Sequence, residues 1–178
     1  MVMPQLIGLI GAECTGKTTL AQALAAHFGG LWVPEFLRSF CQQQGRTPRV
    51  DEQGFILRSQ FDLEEQQLAQ ARQTGCGLIF CDTTPLLTAI YSAHYFGDTS
   101  LLDAAHVVQQ RYALNLVLRP DMSWVPDGWQ RDGVQARTAV DAQVLHLMQT
   151  RRYPHIQVSG VGLQRLQAAI LAVETLRL

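Results

Sequence analysis

Apolar residues along the chain fall into short unbroken runs that alternate with stretches of helical spacing. The runs QLIGLI (5–10), GLWVPEF (30–36), LIFC (78–81), LNLVLRP (114–120) and HIQVSG (155–160) each have the length of a strand. Pro34 ends the second of them, because proline has no N–H to give to a central ladder. After the first run, Leu20, Leu24 and Phe28 recur at helical intervals. Leu57, Phe61 and Leu68 do the same within a glutamine-rich stretch from Asp51 to about Thr74, which predicts a long, polar-backed helix stopping at TGCG. Residues 35–45 read as a short helix closed by Gly45, and residues 162–178 as a last helix. Pro85 opens another helix, with Thr83 or Thr84 as its cap. Strand alternating with helix predicts an α/β fold whose parallel sheet is covered on both faces.

At 178 residues the chain suits one domain, residues 1–178, and is short for two. A net charge of −1 and dispersed arginines give no footprint for nucleic acid. No run approaches the roughly 18–20 apolar residues of a membrane span, so no membrane partner is expected. The apolar N-terminus lacks a basic flank and reads as the first strand, not a signal. Cys14, Cys41, Cys76 and Cys81 show neither C-x-x-C spacing nor paired histidines, which predicts a reducing, cytoplasmic setting. Homo-oligomerisation is left open.

Candidate chemistry enters with GAECTGKT, Gly11 to Thr18, which holds the only lysine of a chain with thirteen arginines. The stretch fits G-x-x-x-x-G-K-[ST], the phosphate-binding P-loop, and it stands between a predicted strand and a predicted helix, as that motif requires. Backbone N–H groups from Gly11 through Glu13, Cys14, Thr15 and Gly16 to Thr19 can then converge on anionic oxygens. Lys17 can reach the terminal phosphates of ATP as a compact charge, and Thr18 can offer a hydroxyl to Mg²⁺.

In an open α/β sheet, ligands bind outside the carboxyl ends of the strands. Glu35 and Asp82 stand there, after the second and third strands. Asp82 is a candidate metal or substrate ligand, or a capping aspartate at a strand-to-helix turn. Glu35 can accept the proton of an attacking hydroxyl, hold a ribose diol, or simply open a helix. Arg38, one turn on, can bind phosphate or pair with Glu35. The irregular segment 119–137 carries Arg131 and Arg137, either lid arginines over the transferring phosphate or solvated side chains, and Trp124 and Trp129, either stacking platforms or anchors.

Four stretches, GAECTGKTTLAQALA, VPEFLRSF, FCDTTPLLTAIYSAHYFG and PDMSWVPDGWQRD, resemble in order the ribosylnicotinamide kinase domain of bacterial NAD-metabolism regulators. The likeness covers nearly the whole chain. It implies a P-loop nucleoside triphosphate hydrolase fold with a five-stranded parallel sheet in the order 2-3-1-4-5 and an arginine-bearing lid. It also implies ATP with Mg²⁺ as donor and the 5′-hydroxyl of nicotinamide riboside as acceptor. By this resemblance Lys17 and Thr18 bind phosphate and metal, Glu35 and Asp82 share the ribose and Mg²⁺ roles, and Glu35 is favoured as base. Trp124 and Asp127 match positions near the nicotinamide pocket, and Arg131 is the lid arginine, although DGWQRD carries one residue more than the family spacing. The bifunctional regulators also carry an adenylyltransferase domain, for which these residues leave no room, so the expectation is a kinase that makes a mononucleotide and not NAD.

Other classes fit less well. A Ras-like GTPase reads guanine through N-K-x-D, and the single lysine already belongs to the P-loop. An AAA-type ATPase acting on a protein partner would need a further helical domain after the core. A kinase for another nucleoside or vitamin alcohol fits the same residues.

Overall fold

The structure, a computed structural model, describes residues 3–124 and 133–177. Strands β1 (Gln5–Ile10), β2 (Leu31–Val33), β3 (Leu78–Asp82), β4 (Tyr112–Leu118) and β5 (His155–Val158) form one sheet in the order β2-β3-β1-β4-β5. Every pairing is parallel, so all the strands deliver their carboxyl ends to one edge. The helices are α1 (Lys17–Phe28), α2 (Phe36–Gln44), α3 (Gln53–Thr74), α4 (Pro85–Phe96), α5 (Leu102–Gln109), α6 (Val134–Thr150) and α7 (Gly162–Glu174).

Alternation along β1 distributes the core between two faces. Ile7 and Leu9 pack with Leu24 of α1 and Ala169 and Val173 of α7. Leu6 and Ile10 point the other way, into layers formed by α3, α4, α5 and α6. Burial on both faces is what near-continuous apolar strands require of a parallel sheet.

The predicted boundaries shift where local chemistry competes. β2 has only three residues, ending at Val33 before the proline, and pairs only with β3. β3 includes Asp82 itself, paired in register with Leu9. β4 starts two residues before the predicted position, because buried Tyr112 pairs with Leu6. A short 3-10 turn, Val50–Glu52, precedes α3, and another, Thr175–Arg177, follows α7. Two helices are absent from the sequence reading, α5 and α6. The second overlaps the end of the supposed irregular segment, since residues 134–137 already belong to it. Its buried Val140, Val144 and Met148 recur every four residues, but intervening alanine and leucine blur the stripe.

Candidate active site

The loop between β1 and α1 has the backbone of a phosphate cradle. A Cβ on Gly11 would meet the Leu118 carbonyl oxygen at 2.6 Å, and Gly16 has φ +78°, in the left-handed region. α1 begins at Lys17 behind Gly16, which has no side chain to cap it, so the N-cap residue leaves the first N–H groups to other acceptors. Lys17 is buried, and its Nζ donates to the carbonyls of Gly11 and Ala12 at 3.0 Å each. An ammonium has three hydrogens, so one remains for an anionic oxygen.

Braces from distant segments hold this loop in place. The Arg165 guanidinium on α7 donates to the Thr15 carbonyl, to the Arg119 carbonyl at 2.9 Å and to Asp121 at 3.3 Å. Asp121 in turn accepts the Gly160 N–H at 2.7 Å. On the rim, the Trp124 indole N–H donates to Glu13 at 2.8 Å, and the Cys14 thiol donates to the Ser123 carbonyl at 3.4 Å. Trp124 therefore anchors the segment after β4 to the P-loop.

A cleft of about 350 Å³ opens in front of the loop, lined by residues 13–19 on one side and by Glu35, Leu37, Arg38 and Tyr91 on the other. Glu35 occupies the N-cap position of α2, yet its side chain makes no capping bond to that helix. Arg38 Nε lies 4.0 Å from its carboxylate. Asp82 is only 1 % exposed and has the Thr18 hydroxyl near enough to favour its ionised form, while its Oδ1 has no protein donor. Burial raises the Asp82 carboxyl above its ordinary range, opposed by Thr18 and by the charges of Lys17 and Arg38. The next residue, Thr83, has φ +76°, a costly conformation for a β-branched side chain and one that concentrates at functional sites. Thr84, not Asp82, is the N-cap residue of α4, and it too makes no side-chain capping bond. The aspartate is therefore no cap.

Thr18 and Asp82 fit Mg²⁺. A hydroxyl beside a carboxylate that keeps one buried, unpartnered oxygen is a partial oxygen site, of the kind this ion completes with phosphate oxygens and water. The described residues contain no cluster of three or more His, Cys, Asp or Glu that would cage a metal by themselves.

Comparison with known proteins fits this geometry. A family model described as AAA domain matches residues 6–165. The chain belongs to the AAA domain family. No curated protein matches it in sequence. Among solved structures, the NadR protein in complex with NR superposes with a TM-score of 0.83 at 21 % identity, over 97 % of this chain and 51 % of that one. NadR in complex with NAD and AMP-PNP gives 0.79 at 20 % identity, over 97 % and 49 %. This AAA domain thus spans about half the length of those chains. The deoxyadenosine kinase of M. mycoides, with dCMP and dCDP, gives 0.67 at 14 % identity, over 96 % and 100 %. At such identities the likeness establishes the fold, which is that of P-loop kinases.

Within this AAA domain, the structure gathers residues 11–19, Glu35, Arg38 and Asp82 at the carboxyl edge of the sheet, where the sequence predicts them. Arg137 is placed differently. It sits buried in the first turn of α6, not in a loop, and donates to the Met122 carbonyl at 2.7 Å. It is not among the described residues that line the cleft, and it braces the segment after β4 from behind. Asp127, Trp129 and Arg131 lie outside the described residues. Leu37 and Tyr91 line the cleft although sequence reasoning does not select them. Tyr91 belongs to PLLTAIYSAHYF, a helix so apolar that no periodicity marks its cleft-facing side. No helix among the described residues is long and apolar enough to cross a membrane.

Proposed function

We propose that the protein is an ATP-dependent small-molecule kinase that phosphorylates the 5′-hydroxyl of nicotinamide riboside, giving nicotinamide mononucleotide and ADP. The observation that carries this reading is the position of Glu35. A carboxylate exempt from capping its own helix faces a phosphate loop across one cleft, where a simple ATPase needs no second wall. Tyr91 on that wall offers an aromatic face to a flat acceptor ring. The fold shared with NadR in complex with NR favours this acceptor over other nucleosides.

In this reading residues 11–19 and Lys17 hold the phosphates, and Thr18 with Asp82 would hold Mg²⁺, which neutralises charge on the phosphate oxygens when bound. Glu35 orients the acceptor hydroxyl and takes its proton as the oxygen bonds to the γ-phosphorus and the bond to the β–γ bridging oxygen breaks. Arg38, whose Nε lies 4.0 Å from that carboxylate, pairs with it or meets the transferred phosphoryl group. Arg131 is the proposed lid arginine and Asp127 a proposed acceptor contact. Phosphoryl transfer passes through a loose transition state, so alignment of the two substrates matters more than the strength of the base.

The test is ADP release with ATP and Mg²⁺, measured without acceptor, then with nicotinamide riboside, other nucleosides and thiamine, with products weighed by mass spectrometry. Release that depends on nicotinamide riboside, with a product heavier by one phosphoryl group, is the expected result. Preference for another nucleoside or for thiamine would keep the kinase and replace its substrate. Equal release without any acceptor would make the protein an ATPase and redirect the search to a protein partner.

A further inference from the structure

Glu35 follows a strand that cannot hold it. β2 ends at Val33, its pairing with β3 stops there, and Pro34 has no N–H to continue the ladder. Residue 35 then opens α2, whose first N–H groups need acceptors that an N-cap side chain ordinarily supplies. Glu35 makes no such bond.

Gln60, in the middle of α3 and 1 % exposed, supplies what is missing. Its Oε1 accepts the Phe36 N–H at 2.9 Å, and its Nε2 donates to the Pro34 carbonyl at 3.4 Å. The two partners are the peptide groups on either side of Glu35. Glu64 lies one turn further along α3, and Gln60 favours its ionised form. Buried Glu64 accepts the Tyr112 hydroxyl at 2.6 Å and pairs with Arg111. The carboxamide thus has a definite orientation, because reversing it would turn an NH₂ toward the Phe36 N–H. Tyr112 at the start of β4 and Arg111 fix Glu64 on α3, and Gln60, one turn away on the same helix, holds the backbone flanking Glu35.

We propose that Gln60 is the positioning residue for Glu35: its carboxamide caps α2 from the neighbouring helix and clamps Pro34 and Phe36, which leaves the Glu35 carboxylate to face the cleft. Gln60 acts through the glutamate and touches no reacting atom. The assignment rests on the reading of Glu35 as the residue that takes the acceptor's proton.

A double-mutant cycle on the full chain tests it. Gln60→Met, Glu35→Gln and the pair are assayed for ADP release over a range of ATP concentrations with saturating nicotinamide riboside, and hydrogen exchange is followed at the Phe36 amide. Gln60→Met is expected to lower kcat by about 10- to 100-fold, the scale of a small misplacement of a reacting group, with KM for ATP unchanged. The Phe36 amide should lose protection, and the double variant should be no slower than Glu35→Gln alone, because both changes remove the same function. Losses that multiply would overturn the proposal, as would full turnover in Gln60→Met while Glu35→Gln is impaired. Full turnover in Glu35→Gln would instead overturn the reading of Glu35, and the positioning role with it. Should Gln60→Met not melt cooperatively, Gln60→Glu, which keeps an acceptor for Phe36 but loses the donor to Pro34, replaces it in the same cycle with the same turnover criteria, the Phe36 amide then staying protected.

Discussion

On its phosphate side the cleft is made from one continuous segment, residues 13–19, whereas the facing side collects Glu35 at the N-cap of α2, Leu37 and Arg38 within it and Tyr91 from α4. The phosphate side binds with backbone geometry and one lysine, shaped by two glycines and a helix start and braced from outside by Arg165 and Trp124. The facing side presents side chains whose aim depends on contacts with α3 and, through Glu64, with β4. A local motif tolerates change in its surroundings as long as its own backbone is kept. An assembled wall does not, because each element that supports it can spoil the alignment. The phosphate side should therefore fail when its own residues change, and the facing side should also fail when residues remote from the cleft change.

The largest effect expected is at the phosphate side. Lys17→Ala should abolish transfer, a loss of at least about 10³-fold, because no other lysine exists to take the charge of the terminal phosphates. The melting temperature should hold. Turnover equal to that of the unaltered protein would remove the loop from the mechanism.

On the facing wall, Glu35→Gln should lower acceptor phosphorylation by about 10²-fold, the low end for a general base because the transition state is loose. ATP affinity should be unaffected in a binding titration. Equal loss of ATP binding and of turnover would make Glu35 structural and would erase the contrast between the two sides.

A remote change sharpens the same contrast. Burial pushes the Glu64 carboxyl from an ordinary value of 4.5 up to about 7, against the opposing pull of Arg111 and Tyr112. The folded chain then keeps a proton that the unfolded chain has released between those two values. Stability is greatest below the lower value and falls as pH rises toward the upper one, by on the order of 3 kcal/mol at most. Glu64→Gln should flatten the melting temperature between pH 5 and 7. A profile that stays as steep as before would assign the dependence to another group.

The smallest effect concerns a rim contact. Trp124→Phe removes the indole donor to Glu13 and should cost about 0.5–1.5 kcal/mol in thermal unfolding, with little change in kcat. A large loss of acceptor affinity would instead place Trp124 in the acceptor pocket, as the family resemblance suggests.

The P-loop and the five strands were legible because both are local. A run of apolar residues, a glycine that must lie close to the Leu118 carbonyl and a lysine with no counterpart leave marks at fixed short spacing. Glu35 and Asp82 were legible by position, since a parallel sheet sends every residue after a strand to one edge. What Asp82 offers, a buried oxygen without a donor, was not, because it depends on which groups other segments bring near. Arg137 shows the limit from the other side. Its neighbourhood of Pro, Gly and Asp reads as loop, but the packing of Val140 and Val144 extends a helix back through it and buries the guanidinium. Gln60 is one of many glutamines in a polar-backed helix, and nothing in its spacing marks it out. Only the approach of α3 to the end of β2 turned that side chain inward, where two peptide groups left unpaired by a proline and a helix start needed its donor and acceptor.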